Sequence, residues 1–111
     1  MLMQRGFLSL MKLEYTDASK KIKQEALNEY SGMDAYFDRA ETEIIRNPFD
    51  SVCETLIVNG QRKKTYKKTI KTDIFSGRFP NSYLYLSLSY AENSDKTKLI
   101  IYGVFIRTYS P

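Results

Sequence analysis

The chain has 111 residues, enough for one domain with one modest core and too few for two. Apolar residues make up 42% and charged residues 27%, an ordinary globular composition, and no apolar run approaches the roughly 20 residues that span a bilayer. There is no histidine and only one cysteine, Cys53, which excludes an internal disulfide, histidine-activated nucleophiles and the usual zinc sites. We therefore expect no metal or cofactor, a reducing cytoplasmic location without membrane attachment, and Cys53 as a small buried hydrophobe.

The first half of the chain predicts one strand followed by two helices. Residues 7–15 alternate as a strand does, and residues 1–10 are either the start of that strand or a translated extension. A first helix is indicated by the N-cap candidates Thr16 and Asp17, followed by an apolar stripe at Ile22, Ala26, Leu27 and Tyr30. Gly32 interrupts this helix. A second helix then carries an apolar stripe at Met33, Phe37, Ala40 and Ile44, and Asn47-Pro48 ends it.

The second half predicts a sheet. Residues 53–58 form a short strand, and Asn59-Gly60 is the strongest two-residue hairpin signal in the chain. Residues 83–90 alternate, with the leucines Leu84, Leu86 and Leu88 on one face and Tyr83, Tyr85, Ser87 and Ser89 on the other. Residues 98–108 are apolar and β-branched, so this strand should lie centrally.

This order predicts a single α+β domain over residues 1–111. It consists of an N-terminal strand, a two-helix hairpin, and three or four antiparallel strands, with the helices packed on one face of the sheet. The three leucines of residues 83–90 should face the helices. We expect the whole sheet to be antiparallel.

The most unusual feature is a basic segment at residues 62–71, which contains six cations and no acid, while the rest of the chain is slightly acidic. Its cations are Arg62, Lys63, Lys64, Lys67, Lys68 and Lys71. A strand would place Lys63, Lys67 and Lys71 on one face and Arg62, Lys64 and Lys68 on the other. A helix would align Lys64, Lys67, Lys68 and Lys71. The segment has almost nothing apolar to bury, which predicts an edge strand or an exposed loop. Clustered lysines repel one another unless an anion offsets them, so we expect a polyanion or acidic protein as partner, with edge protection as the alternative.

The chain is also rich in aromatic residues, with nine tyrosines and six phenylalanines. Four tyrosines lie where they could face solvent or a groove: Tyr66, Tyr83, Tyr85 and Tyr109. Tyrosines beside arginines can stack on nucleobases, although each also suits a half-buried strand position.

From Arg78 onward the sequence resembles the ParE branch of the RelE/ParE toxin superfamily. That branch has an Arg-Phe-Pro-Tyr element entering a strand, and a final apolar strand with a Val-Phe-His-x-x-Arg-x-Pro-like tail. The corresponding residues here are Arg78, Phe79, Pro80, Asn81, Val104, Phe105 and Pro111. Asn81 stands at the tyrosine of the motif, Ile106 at the histidine and Tyr109 at the arginine. The order of elements is also similar, so the resemblance extends over nearly the whole chain from about Met11.

The resemblance implies a RelE/ParE-like toxin of a type II toxin–antitoxin system, neutralised by an acidic antitoxin. Members of that superfamily either cleave mRNA on the ribosome or poison DNA gyrase without catalysis, and the ParE-like motif favours the target-binding mode. By charge and position we expect nucleic-acid or target contacts from Arg62, Lys63, Lys64, Lys67, Lys68, Lys71 and Arg107. If the protein is instead a ribonuclease, Arg78 would hold the phosphate and Tyr109 would supply a proton.

Two other classes remain open from the residues alone. The chain could be a nucleic-acid-binding module without toxicity, using the same basic stripe. It could also be an adaptor whose basic segment binds an acidic protein. A neighbouring gene for a small acidic protein would favour the toxin over both.

Overall fold

The computed structural model, which describes residues 11–77 and 82–109, is an α+β fold with two helices on a five-stranded sheet. In chain order the elements are β1 (Lys12–Tyr15), α1 (Asp17–Glu29), α2 (Met33–Arg46), β2 (Val52–Val58), β3 (Gln61–Phe75), β4 (Tyr83–Glu92) and β5 (Lys98–Tyr109). The strands lie in the order β1-β5-β4-β3-β2. No helix in these two ranges is long and apolar enough to cross a membrane.

Pairing within the sheet is mixed. Strands β2 to β5 pair antiparallel as predicted, and β5 lies in the interior of the sheet. The expectation of a wholly antiparallel sheet was wrong, because β1 pairs parallel with β5. The chain leaves β1 into the helices rather than through a tight turn, so no hairpin imposes an antiparallel neighbour on it.

Both helices begin and end at the predicted signals. The Thr16 hydroxyl accepts a hydrogen bond from the Ser19 backbone N–H at 3.2 Å, which caps α1. Gly32 takes a left-handed φ of 85° immediately before α2, a conformation that glycine adopts without strain. Helix α2 ends at Arg46, with Asn47 as its C-cap before Pro48.

The core lies between the helices and one face of the sheet. The α2 stripe Met33, Phe37, Ala40 and Ile44 is fully buried. It belongs to one hydrophobic cluster with Leu84, Leu86 and Leu88, which confirms that these leucines face the helices. The α1 stripe is less complete, because Ala26 is buried but Ile22 is 42% exposed. Helix α1 therefore packs through a narrower apolar face than the sequence predicted.

The basic segment lies in β3, between β2 and β4, so the prediction of an edge strand or loop was wrong. Three residues make an interior position possible. Ile70 is buried in the core, and the half-buried Tyr66 packs against the same hydrophobic cluster. Thr65 is buried with its hydroxyl donating to the Glu54 carbonyl at 3.0 Å. Lysines can occupy such a strand because their long stems carry the ammonium group out to solvent.

The edge strand on this side is β2. Asn59 and Gly60 have φ of 53° and 78°, as the predicted two-residue hairpin requires. Neither helix contacts β2 within the described ranges. Cys53 is consequently exposed, which corrects the expectation that it would be buried.

Candidate nucleic-acid interface

Strand alternation divides the basic segment between the two faces of the sheet. Lys68 and Ile70 are paired with Leu88 and Leu86, so they lie on the helix side. Arg62 and Lys64 lie on that same side. Lys63, Lys67 and Lys71 occupy the opposite face, as predicted for a strand. The six cations therefore cannot all contact one flat target.

On the helix side, Lys68 is already neutralised. Its Nζ lies 2.8 Å from Glu43 Oε1, and Glu43 Oε2 also accepts from Arg39 Nε at 3.0 Å. Hydrogen bonds from Lys68 and then from Arg39 lower the pKa of Glu43 below its ordinary value. Lys68 therefore serves to hold β3 against α2.

The face opposite the helices carries rings and cations in alternation. We call it the basic–aromatic face and define it by residues of β3, β4 and β5: Lys63, Lys67, Lys71, Tyr83, Tyr85, Ser87, Ser89, Tyr102, Gly103, Phe105, Arg107 and Tyr109. Lys71, Tyr85 and Arg107 are directly opposite one another on the three strands. No helix or strand among the described residues packs on this face.

Each cation of this face lies over an aromatic ring of β5. Lys63 Nζ is 5.1 Å from the centroid of the Tyr102 ring and donates to its hydroxyl at 3.0 Å. Lys67 Nζ and the Arg107 guanidinium carbon lie 5.5 Å and 5.7 Å from the Phe105 centroid.

Lys71 Nζ lies 5.4 Å from the centroid of Tyr109. These distances are within the range of cation–π attraction, which holds the long side chains along the sheet. None of the four cations forms an ion pair with a carboxylate in the described part of the chain.

The rings also contact one another. Tyr85 stacks on Tyr109 with centroids 5.2 Å apart and planes at 20°, and Tyr83 lies 6.1 Å from Tyr109. Phe75 stacks on Tyr83 at 4.8 Å and is 60% exposed. The result is an aromatic row across three strands that ends in an exposed ring.

Small residues lie among these side chains. Thr69 and Ser87 share a hydrogen bond at 2.9 Å, and both Ser87 and Ser89 are buried. The Ser89 hydroxyl has no hydrogen-bond partner among the described residues. At Gly103 an added Cβ would lie 2.8 Å from Phe105 Cε2, so this glycine lets the Phe105 ring lie down over the sheet. Phe105 remains 37% exposed there.

Of the two residues nominated for catalysis, only Tyr109 lies within the described residues. Arg78 lies outside the described residues. Tyr109 lies on the basic–aromatic face, but its hydroxyl donates to the Thr72 backbone carbonyl at 3.0 Å. Tyr109 therefore stacks and anchors the end of β5, and its proton is directed to the backbone. The described residues also contain no group of three or more His, Cys, Asp or Glu side chains that could hold a metal.

The sequence located part of this face. Tyr83, Tyr85 and Tyr109 are on it, but Tyr66 is on the helix side, stacked 5.8 Å from Tyr90. Tyr102 was not predicted to lie on it, and Phe105 was named only for its match to the ParE-like tail. Strand alternation places both residues on the face opposite the core residues Ile101 and Val104. A register irregularity near Ser89 shifts that alternation by one residue, so a simple odd–even pattern along β5 does not show it.

Comparisons with known proteins returned nothing for this chain: no family model, no curated protein and no solved structure matches it.

Proposed function

We propose that this protein is the toxin component of a type II toxin–antitoxin system, with a RelE/ParE-like fold and a cytoplasmic location. It inhibits growth by binding a ribosome- or gyrase-associated target through the basic–aromatic face. The Arg78-Phe79-Pro80 motif and the order strand, two helices, antiparallel strands support the toxin assignment, since both resemble that superfamily. An acidic antitoxin is the proposed partner, because it would neutralise the cations of this face, which form no ion pair with the described carboxylates.

The observation that carries target binding is the alternation of four cations with aromatic rings. Cations alone would suit the phosphates of any nucleic acid. Exposed rings add stacking on unpaired bases, which a duplex does not offer because its bases are already stacked. The face therefore favours an unpaired nucleic-acid strand over a duplex, and among the proposed targets it favours the ribosome and its mRNA over gyrase.

RNA cleavage is the second candidate, and Tyr109 separates it from binding. A ribonuclease that used the Tyr109 hydroxyl as a proton donor should slow on the order of 10²-fold in Tyr109→Phe. A target-binding toxin should keep its toxicity, because the variant retains the ring that stacks on Tyr85. The hydrogen bond to the Thr72 carbonyl favours the binding mode. Growth arrest with intact transcripts, unaffected by Tyr109→Phe, would reject cleavage.

The decisive experiment is induced expression of matched charge variants. Lys67→Ala/Lys71→Ala removes two cations from the basic–aromatic face, and Arg62→Ala/Lys64→Ala removes two from the helix side of the same strand. We expect the wild type and the helix-side variant to arrest growth, and Lys67→Ala/Lys71→Ala to relieve the arrest. Coexpression of an acidic protein encoded by a neighbouring gene should also restore growth.

The remaining alternatives have their own outcomes. A wild-type protein that binds single-stranded RNA but never slows growth would be a non-toxic nucleic-acid-binding module. A protein that binds neither RNA nor DNA, but captures an acidic protein through the same lysines, would be an adaptor. Either result would overturn the toxin assignment.

A further inference from the structure

The outer edge of β2 is a row of backbone groups that have no hydrogen-bond partner in the described part of the chain. In a two-residue hairpin the residues flanking the turn, here Val58 and Gln61, exchange hydrogen bonds, and every second pair along the ladder does the same. Glu54 therefore directs its N–H and C=O toward β3. Cys53, Thr55 and Ile57 direct theirs away from the sheet, and no hydrogen bond to them occurs within residues 11–77 and 82–109.

This edge is also apolar. Val52 is 70% exposed, Ile57 is 75% exposed, and Phe49 just before the strand is 53% exposed. The strand contains no lysine, no proline and no bulge, which are the usual features that stop one sheet edge from pairing with another. The opposite edge, β1, differs because it has only four residues, two of them charged.

We infer that β2 of a second copy of this chain pairs antiparallel with β2 of the first. The two copies are related by a two-fold axis that passes between their Thr55 residues. In that register Thr55 lies opposite Thr55 of the second copy, and Cys53 lies opposite Ile57. All three residues present free backbone groups, so the pairing forms six hydrogen bonds between the two copies. This inference does not depend on the proposed function.

The side chains of β2 are compatible with this self-pairing. Its single charged residue, Glu54, lies opposite Leu56, so no like charges face each other. The next residue in that row is Lys63 of the second copy, since Leu56 pairs with Lys63 in the hairpin. Glu54 of one copy and Lys63 of the other therefore lie on the same face, with only Leu56 between them, and their opposite charges attract across the two-fold axis.

A second copy fits better than an open series of copies because the two-fold axis closes the assembly at two chains. The axis is perpendicular to the sheet, so the pairing produces a ten-stranded sheet with both basic–aromatic faces on one side. One edge strand buries less than the roughly 1,200–2,000 Å² of a standard stable interface. The dimer should therefore dissociate on dilution.

Proline at the centre of β2 tests the hydrogen bonds directly. Thr55→Pro removes an outward N–H without removing a hydrogen bond to β3, so the hairpin should still form. Thr55→Ala keeps the N–H and serves as the control. We expect sedimentation velocity of the full chain to show a concentration-dependent dimer for the wild type and Thr55→Ala, and a monomer for Thr55→Pro.

Cysteine cross-linking tests the register independently of folding in the proline variant. In Cys53→Ser/Thr55→Cys, the two introduced cysteines lie opposite each other with Cα atoms about 5.5 Å apart, which a disulfide can join. In the wild type the two Cys53 residues are offset by four positions, about 14 Å along the strand, which is beyond disulfide reach. Mild oxidation should therefore give a covalent dimer for the Thr55→Cys variant and not for the wild type.

Three results would overturn the inference. The first is a wild-type protein that stays monomeric at every concentration. The second is a Thr55→Pro variant that dimerises like Thr55→Ala. The third is a wild-type protein that cross-links through Cys53 as efficiently as Cys53→Ser/Thr55→Cys does. That result would show that the two β2 strands pair in a different register or in no fixed register.

Discussion

The salt dependence of RNA binding offers the sharpest test of the basic–aromatic face. The sequence contains six cations in residues 62–71, but the structure places only Lys63, Lys67 and Lys71 of them on this face, joined by Arg107 from β5. Each phosphate neutralised on a single strand contributes about −0.7 to the slope of log affinity against log salt, so four contacts give about −2.8. A tenfold rise in salt should then weaken binding about 600-fold.

Removing two of these cations has a calculable effect. Lys67→Ala/Lys71→Ala should reduce the slope to about −1.4, so the same tenfold rise in salt costs only about 25-fold in affinity. Arg62→Ala/Lys64→Ala makes the same change in net charge on the helix side and should leave the slope unchanged. Fluorescence anisotropy with a labelled single-stranded oligouridylate, titrated at several salt concentrations, measures all three slopes. Equal reductions in the two variants would refute the division of the segment into two faces.

Three further predictions concern rings, backbone and pH. Phe105→Ala should weaken binding of the same oligonucleotide by about 5-fold or more through lost stacking, whereas Phe105→Tyr should retain it; an unchanged affinity in the alanine variant would place the bases elsewhere. Gly103→Ala should also weaken binding, because its Cβ displaces the Phe105 ring, while the melting temperature changes little since the ring can move. Because Lys68 and Arg39 lower the pKa of Glu43, the stability from this cluster is present above the ordinary value of 4.5 and lost as pH falls through the lowered pKa. The melting temperature should therefore fall less between neutral and acid pH in Glu43→Gln than in the wild type. Equal falls in melting temperature would show that Glu43 does not contribute to stability.

Local signals in the sequence located most elements of the fold. Thr16 as an N-cap, Gly32 between the helices, and Asn59-Gly60 at the hairpin each act within a few residues, so they are readable without knowledge of the tertiary structure. The leucines of residues 83–90 were placed correctly for the same reason, because alternation along a strand fixes their face.

What the sequence could not supply was the position of each strand in the sheet. Residues 62–71 look like an edge strand by composition, yet they lie in the interior, where Tyr66 and Ile70 supply enough apolar contact and the lysine stems reach solvent. Conversely β2, whose apolar residues suggest burial, is the exposed edge, and Cys53 is exposed with it. Strand order depends on contacts between residues far apart in the chain, which no local pattern encodes.

The sequence by itself determined the chemistry that this protein has available: cations and aromatic rings, without histidine and with one thiol. It also determined that residues 62–71, if a strand, would present lysines on both faces. Only the tertiary structure decided which of those lysines act together. The helices cover one face of the sheet and use Lys68 to bind Glu43, while strand pairing brings Lys67 and Lys71 beside Phe105 and Tyr109 on the other. A side chain's neighbours across a sheet come from separate segments, so their convergence is a property of the fold and not of any one stretch of sequence.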